Sequence, residues 1–184
     1  MLSLAEIIAE CQRGSSLAWE ALVKRLSDRV YATAYAYLHD AEEARDATQE
    51  AFVRVFEQIG AFRGDDHRFI AWILTITRHR CIDRLRRRKT RQGSPPADET
   101  TDGPDSSLVE DEARRLVYRA LDHLSSDTRD IIVLKDIAGL RLQDVAQILK
   151  VPIGTVKSRL SRAKVELAKA VVRLDPSFGD RNGL

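Results

Sequence analysis

Apolar side chains recur along this chain at intervals of three and four, with no sustained alternation at intervals of two, which predicts helices throughout and an all-α fold. Leu4, Ile7, Ile8 and Cys11 mark a short amphipathic helix that Gly14 ends. Ser15 or Ser16 caps the next, where Trp19, Leu22, Val23, Leu26, Val30, Ala34 and Leu38 form the buried stripe and Tyr31, Tyr35 and Tyr37 sit at its edge. Asp40 caps a third helix. Its Ala44, Ala47, Ala51, Phe52, Val55, Phe56 and Ile59 face inward, and Glu43, Asp46, Gln49, Glu50, Arg54 and Glu57 face outward. Two glycines and clustered polar residues make 60–68 a loop. The helical pattern resumes over 69–89, with Phe69, Trp72, Ile73, Ile76, Ile82 and Leu85 inward.

Residues 90–107 carry three prolines, two glycines and almost nothing apolar, so burial cannot offset the entropy of ordering them; they read as a flexible linker. Beyond it, Leu108, Ala113, Leu116, Val117, Ala120, Leu121 and Leu124 form one stripe. Ser125 or Ser126 then caps a helix that runs through Ile131, Ile132, Leu134 and Ile137 to a stop at Gly139. The expected organisation is therefore two small helical domains, 1–89 and 108–174, joined by the linker and followed by a short tail, 175–184, that leaves no room for a large C-terminal regulatory domain.

The second domain contains the most specific local pattern. Leu142, Val145, Ala146 and Leu149 give a helix of about two turns. Pro152 must interrupt it, since proline lacks an amide hydrogen and disfavours helix at the residue before it. Thr155 is positioned to cap a second helix, whose Val156, Leu160, Ala163 and Leu167 pack against the first. Its other faces carry Lys157, Ser158, Arg159, Ser161, Arg162 and Lys164. A basic helix behind a short helix and a tight turn is helix-turn-helix geometry, in which the second helix enters the DNA major groove. The plain alternative is an amphipathic helix pair with a solvated basic face.

Charge sharpens this picture. The net charge of +2 conceals segregation. Arg78, Arg80, Arg84, Arg86, Arg87, Arg88, Lys89 and Arg91 face only Asp83, whereas Asp98, Glu99, Asp102, Asp105, Glu110, Asp111 and Glu112 follow without a base among them. The arginine run, with Thr75, Thr77 and His79 beside it and Trp72 and Phe69 as stacking platforms, suits nucleic acid; the simpler reading of Trp72 is core. Cys11 and Cys81 lie in no pattern of metal-ligand spacing and are read as reduced thiols. No cofactor or metal is expected. No signal segment or membrane-length apolar run appears, so the expected compartment is the cytoplasm. Nothing in the sequence resembles a nucleophile-base arrangement or a phosphate-binding glycine loop, which points away from an enzyme.

These motifs together carry a resemblance. LDHLSSDTRDIIVLKDIAGLRLQDVAQILKVPIGTVKSRLSRAK resembles the C-terminal promoter-binding domain of the bacterial extracytoplasmic-function (ECF, group IV) RNA polymerase sigma factors. ARDATQEAFVRVF is similar to their polymerase-binding helix, and FRGDDHRFIAWILTITRHRCIDRLRRRK to their minus-ten region. The resemblance spans roughly residues 12–172. It implies that 1–89 is a sigma region 2 domain and 108–174 a sigma region 4 domain. It further implies a function in promoter-specific initiation, in stress or envelope responses, with core RNA polymerase (β and β′ subunits), promoter DNA and an anti-sigma factor as partners. By position, Asp46, Gln49, Glu50, Phe52 and Arg54 match the helix that docks on the polymerase β′ clamp. Arg63, Gly64, Asp65 and Asp66 match the loop that captures a flipped base, and Arg78, His79, Asp83, Arg84 and Arg87 the minus-ten-facing helix. Thr155, Lys157, Ser158, Arg159, Ser161 and Arg162 match the reader of the minus-thirty-five element, with Arg141 as a phosphate contact. Three positions depart from the pattern: His79 stands where the family often has Asn, Arg141 replaces a small hydroxyl cap, and Lys150 replaces a turn glycine. The implied acidic linker threads toward the polymerase cleft. The rivals are a stand-alone helix-turn-helix transcriptional regulator and an RNA-binding adaptor using the arginine run.

Overall fold

The computed structural model describes residues 2–92 and 108–178. The linker acids Asp98, Glu99, Asp102 and Asp105 lie outside them, as does the chain after Phe178. The side chains of Lys89, 91–92 and 108–111 are likewise not described. Among the described residues every regular element is helical and none is a strand. The chain divides into two compact units, and the division falls between the fourth and fifth helices.

The first unit contains α1 (Leu4–Gln12), α2 (Ser16–Leu38), α3 (Ala41–Gln58), a 3₁₀ turn (Ile59–Ala61) and α4 (Asp66–Gln92). Its helix starts follow from capping chemistry. Ser3 and Glu6 form a reciprocal capping box, and these hydrogen bonds hold the Glu6 carboxyl below its usual range. Ser15 Oγ accepts from the Ala18 amide at 3.3 Å, and Asp40 Oδ1 from the Glu43 amide at 2.8 Å. α2 ends on His39 in the left-handed region, φ 52°, which reverses the chain into α3. α2, α3 and α4 pack on one another around Leu22, Val30, Val55, Phe69, Ile73 and Leu74. Ala34, Ala44, Ala47 and Ala51 are fully buried, and their small side chains let the helix axes approach closely.

Three expectations need correction here. α4 begins at Asp66 rather than near 69, because Asp65 supplies a cap: its Oδ1 accepts from the Arg68 amide at 2.8 Å, and Asp66 places a second acid in a first turn that favours negative charge. The predicted loop thus shrinks to 62–65. Phe56 does not face inward; it is 63% exposed. Thr77 cannot contact phosphate, since it is fully buried and its hydroxyl donates to Ile73 O at 2.9 Å.

The second unit contains α5 (Leu108–Asp122), α6 (Ser126–Ile132), a π-helical turn (Val133–Ile137), α7 (Leu142–Leu149) and α8 (Ile153–Leu174). Ser125 caps α6 through the Thr128 amide at 3.3 Å. Arg129 ties α6 to the end of α5 by donating to Leu121 O at 3.0 Å and Asp122 O at 3.2 Å, where a helix C-terminus favours a cation. The π turn re-phases a segment that buries four successive residues, Ile131 to Leu134. It leaves Asp136 exposed and Lys135 half-buried while Ala138 and Leu140 turn inward.

α7 and α8 form the helix-turn-helix. Lys150 ends α7 in the left-handed region at φ 55°, ψ 44°, a conformation that costs a non-glycine residue about 1 kcal/mol. Thr155 does not cap α8. The helix starts at Ile153 directly after Pro152, whose fixed φ suits a helix start and whose missing amide needs no partner there. Thr155 instead sits in the first turn, and its carbonyl accepts from Ser158 Oγ at 3.1 Å.

Candidate nucleic-acid interface

α8 buries Val156 and Ala163 and half-buries Leu160 and Leu167, as its apolar stripe requires. The opposite faces expose Lys157, Ser158, Arg159, Ser161 and Arg162, with Thr155 half-buried. A helix of about 10–12 Å diameter matches a major groove about 12 Å wide. Two of the bases near this surface have acidic neighbours on the preceding segment: Arg159 Nη1 is 4.0 Å from Asp127, and Lys164 Nζ is 3.3 Å from Asp136. Arg141 occupies the N-cap position of α7 without capping it. Its Nε and Nη2 instead fork onto Asp144 at 2.9 and 3.2 Å, satisfying a carboxylate whose side chain is 6% exposed.

A second charged surface lies on the first unit. α3 exposes Asp46, Gln49, Glu50 and Arg54 but buries Phe52, whose ring meets Trp19 edge-on at 6.3 Å. Phe52 therefore packs into the core beneath α3 rather than standing on its outer face. Val53 and Phe56, 58% and 63% exposed, are the apolar residues on the outer face. Their spacing from Gln49, four and seven residues on, was the signal for this. α4 exposes His79, Asp83 and Arg87 and half-buries Arg78 and Arg84.

The fold brings the α3 and α4 sets together in one groove, lined by Asp46, Gln49, Glu50 and Val53 on one side and Arg80 and Arg87 on the other. Arg84 Nη2 lies 2.6 Å from Glu50 and its Nη1 3.9 Å from Asp46, while Arg80 Nε lies 4.0 Å from Glu50. One turn further along, Arg88 reaches Glu43 at 2.8 Å, Asp40 at 3.6 Å and Leu38 O at 3.2 Å, fastening α4 to the α2–α3 corner. The sequence placed Arg80 and Arg88 only in the arginine run suited to nucleic acid, not with the acids they meet here. Their partners lie more than 25 residues away, and no local signal marks them.

The loop holds Arg63, Gly64 and Asp65 exposed and Asp66 half-buried. Arg63 folds back on its own turn, its Nη1 donating to Gly60 O at 2.9 Å and Phe62 O at 2.7 Å. Gly64 is required by space: a Cβ there would lie 3.0 Å from both Phe62 Cζ and Arg68 Cβ. Beneath the loop, Phe62 stacks on Trp72 at 5.2 Å and meets Phe69 edge-on at 5.1 Å, so one face of Trp72 is already covered.

The described residues hold no His/Cys/Asp/Glu group arranged for a metal and no helix long and apolar enough to cross a membrane. Burial pushes the Cys81 thiol up to about 12 and also raises Cys11. The Sigma-70 region 2 model matches residues 22–91 and the Sigma-70, region 4 model residues 114–167. The chain is 29% identical to RNA polymerase sigma-H factor of Pseudomonas aeruginosa, over 90% of this chain and 92% of that one. It is also 29% identical to the ECF RNA polymerase sigma factor SigW of Bacillus subtilis, over 88% and 93%. Among solved structures, the sigma factor RpoE of Bartonella quintana, crystallised with the anti-sigma factor NepR, superposes with a TM-score of 0.68 at 25% identity, covering 85% of this chain and 97% of that one. The two helical units, the basic helix-turn-helix and these likenesses have one common meaning: the chain belongs to the extracytoplasmic-function RNA polymerase sigma factors.

Proposed function

We propose that this sigma factor binds core RNA polymerase through the outer face of α3, reads a two-part promoter with α4, the 63–66 loop and α8, and helps to open it. In this reading 1–89 acts as the region 2 domain and 108–174 as the region 4 domain. The polymerase supplies the catalysis, and the chain itself is no enzyme. The observation that carries the reading is the exposed cationic face of α8, set on a helix-turn-helix in a chain whose first unit presents a separate charged groove. α3 offers Gln49, Glu50, Val53 and Phe56, a mixed apolar and acidic face fit for a basic protein partner. Arg63 and Asp65 shape the loop, leaving its open side for an unpaired base, and the arginines of α4 meet the strand backbone. An anti-sigma factor is the expected regulator, as for the Bartonella quintana protein, and the cytoplasm the expected compartment.

Run-off transcription on a genomic fragment library tests this. The chain alone should bind promoter duplex weakly, and addition of core enzyme should produce discrete transcripts from a restricted promoter set. Tight duplex binding without core, and no transcripts with it, would instead favour a stand-alone helix-turn-helix regulator.

A further inference from the structure

Gln12 is the last residue of α1 and precedes the residues that the region 2 model matches. α1 buries Leu4, Ile7, Ile8 and Cys11 while packing against α2 and the 3₁₀ turn, and this fixes where its C-terminal end lies. From there the Gln12 amide crosses to the middle of the region's sequence. Its Nε2 donates to Ile59 O at 2.9 Å and to Phe62 O at 3.0 Å. Both partners are acceptors, so only the NH₂ end of the amide can face them, and its two hydrogens match the two carbonyls.

These carbonyls bracket the turn that leads from α3 into the 63–66 loop. Past the end of α3 no helical amide is available to satisfy them, apart from the Phe62 amide that reaches Ile59 O at 3.0 Å. Phe62 is thereby held at two points: its ring lies on Trp72 and Phe69, and its carbonyl receives both Gln12 and Arg63. The exposed loop leaves directly from the carbonyl of Phe62, with Gly64 two residues later at φ 159°. A short exposed loop has little apolar burial of its own to order it, and fixing its base beforehand lowers the entropy lost when it closes on a ligand.

We propose that Gln12 is a positioning residue for the 63–66 loop: by clamping the carbonyls of Ile59 and Phe62 it presets the loop to receive an unpaired nucleobase. This rests on the assignment of that loop under Proposed function. The clamp makes α1 part of the strand-opening apparatus, although Gln12 need not touch DNA.

The test uses the full chain assembled with core polymerase. A randomised single-stranded DNA pool, selected by the parent holoenzyme and sequenced, gives the base preference at each position. Oligonucleotides of the enriched sequence, with each alternative base, are then titrated against holoenzymes of the parent, Gln12→Met and Gln12→Ala. Methionine keeps the approximate length and the neutrality of glutamine and removes its amide, donors and acceptor together. The preference at one position should fall roughly three- to tenfold in both variants, the scale of a lost hydrogen bond. Affinity for core and the melting temperature should stay at parental values, and amide hydrogen exchange should quicken over residues 60–66. An unchanged preference would overturn the proposal, and so would equal weakening on every oligonucleotide with a lowered melting temperature. If the parent shows no preference at any position, the loop assignment itself fails; exchange over 60–66 then reports separately whether Gln12 holds the turn.

Discussion

Arg84 of α4 places a guanidinium nitrogen 2.6 Å from the Glu50 carboxylate of α3, so an acid on the proposed polymerase face is paired with a base on the proposed DNA face. The pair is only partly shielded, with side chains 21% and 48% exposed, so its own contribution to stability is modest. Its significance is functional. On the proposed assignments, a basic group on a polymerase partner that took Glu50 would free Arg84 from that carboxylate for a phosphate.

Charge reversal tests the docking face. Glu50→Lys and Asp46→Lys should each weaken binding to core polymerase by roughly tenfold or more, because like charges would then meet across the contact. The helical circular dichroism spectrum should be retained. A titration showing parental affinity for core in both variants would remove α3's acidic face from the interface.

On α8, Lys157 and Arg162 are both exposed, while Arg159 has Asp127 within 4.0 Å. Lys157 lies near the helix start, where residues meet base edges, and arginine can pair with guanine through two hydrogen bonds. Lys157→Ala or Arg162→Ala should cost about 1–3 kcal/mol of discrimination at particular bases of the upstream element. A phosphate contact would behave differently, weakening all sequences alike and lowering the salt slope by about one. Binding across single-base changes at several salt concentrations separates the two, and uniform losses for both variants would make these side chains backbone contacts only.

The fork between Arg141 and Asp144 replaces a missing cap. Removing Arg141 leaves a buried carboxylate at the start of α7 without its strongest donor, so Arg141→Ala should destabilise the chain by about 1–3 kcal/mol. Arg141→Ser should fall between the two, since a serine cap returns about 1 kcal/mol. Urea unfolding followed by a probe in the second unit measures this. Parental stability in the alanine variant would show that the fork contributes nothing.

Burial of Cys81 makes alkaline stability a readout of the first core. A free thiol ionises near 9.0, whereas here burial outweighs the opposing effect of Arg84 and pushes the value up to about 12. Unfolded chains therefore lose a proton that folded chains keep. The stabilisation is complete below pH 9 and is lost as pH rises toward 12. The parent's melting temperature should drop more steeply over this window than that of Cys81→Ala. Parallel slopes would mean that the thiol is not protected.

Much of this protein was determined by its sequence alone. The periods of three and four, the aspartate cap at Asp40, the serine caps to within one residue of Ser15 and Ser125, and the break at Pro152 are local consequences of side-chain shape and backbone hydrogen bonding, and are legible within a few residues. The basic face of α8 follows from the same periodicity. What only the tertiary structure decided are pairings across long stretches of chain: Gln12 with Phe62, Arg84 with Glu50, Arg88 with Leu38 and Glu43. Periodicity assigns a residue to a face but does not say which distant face it meets. That is why Phe52 and Phe56, both aromatic on one helix, proved one buried and one exposed, and why Thr77 beside the arginines proved to be core. Packing of three helices around small alanines settled these positions, since only there does each side chain acquire its neighbours.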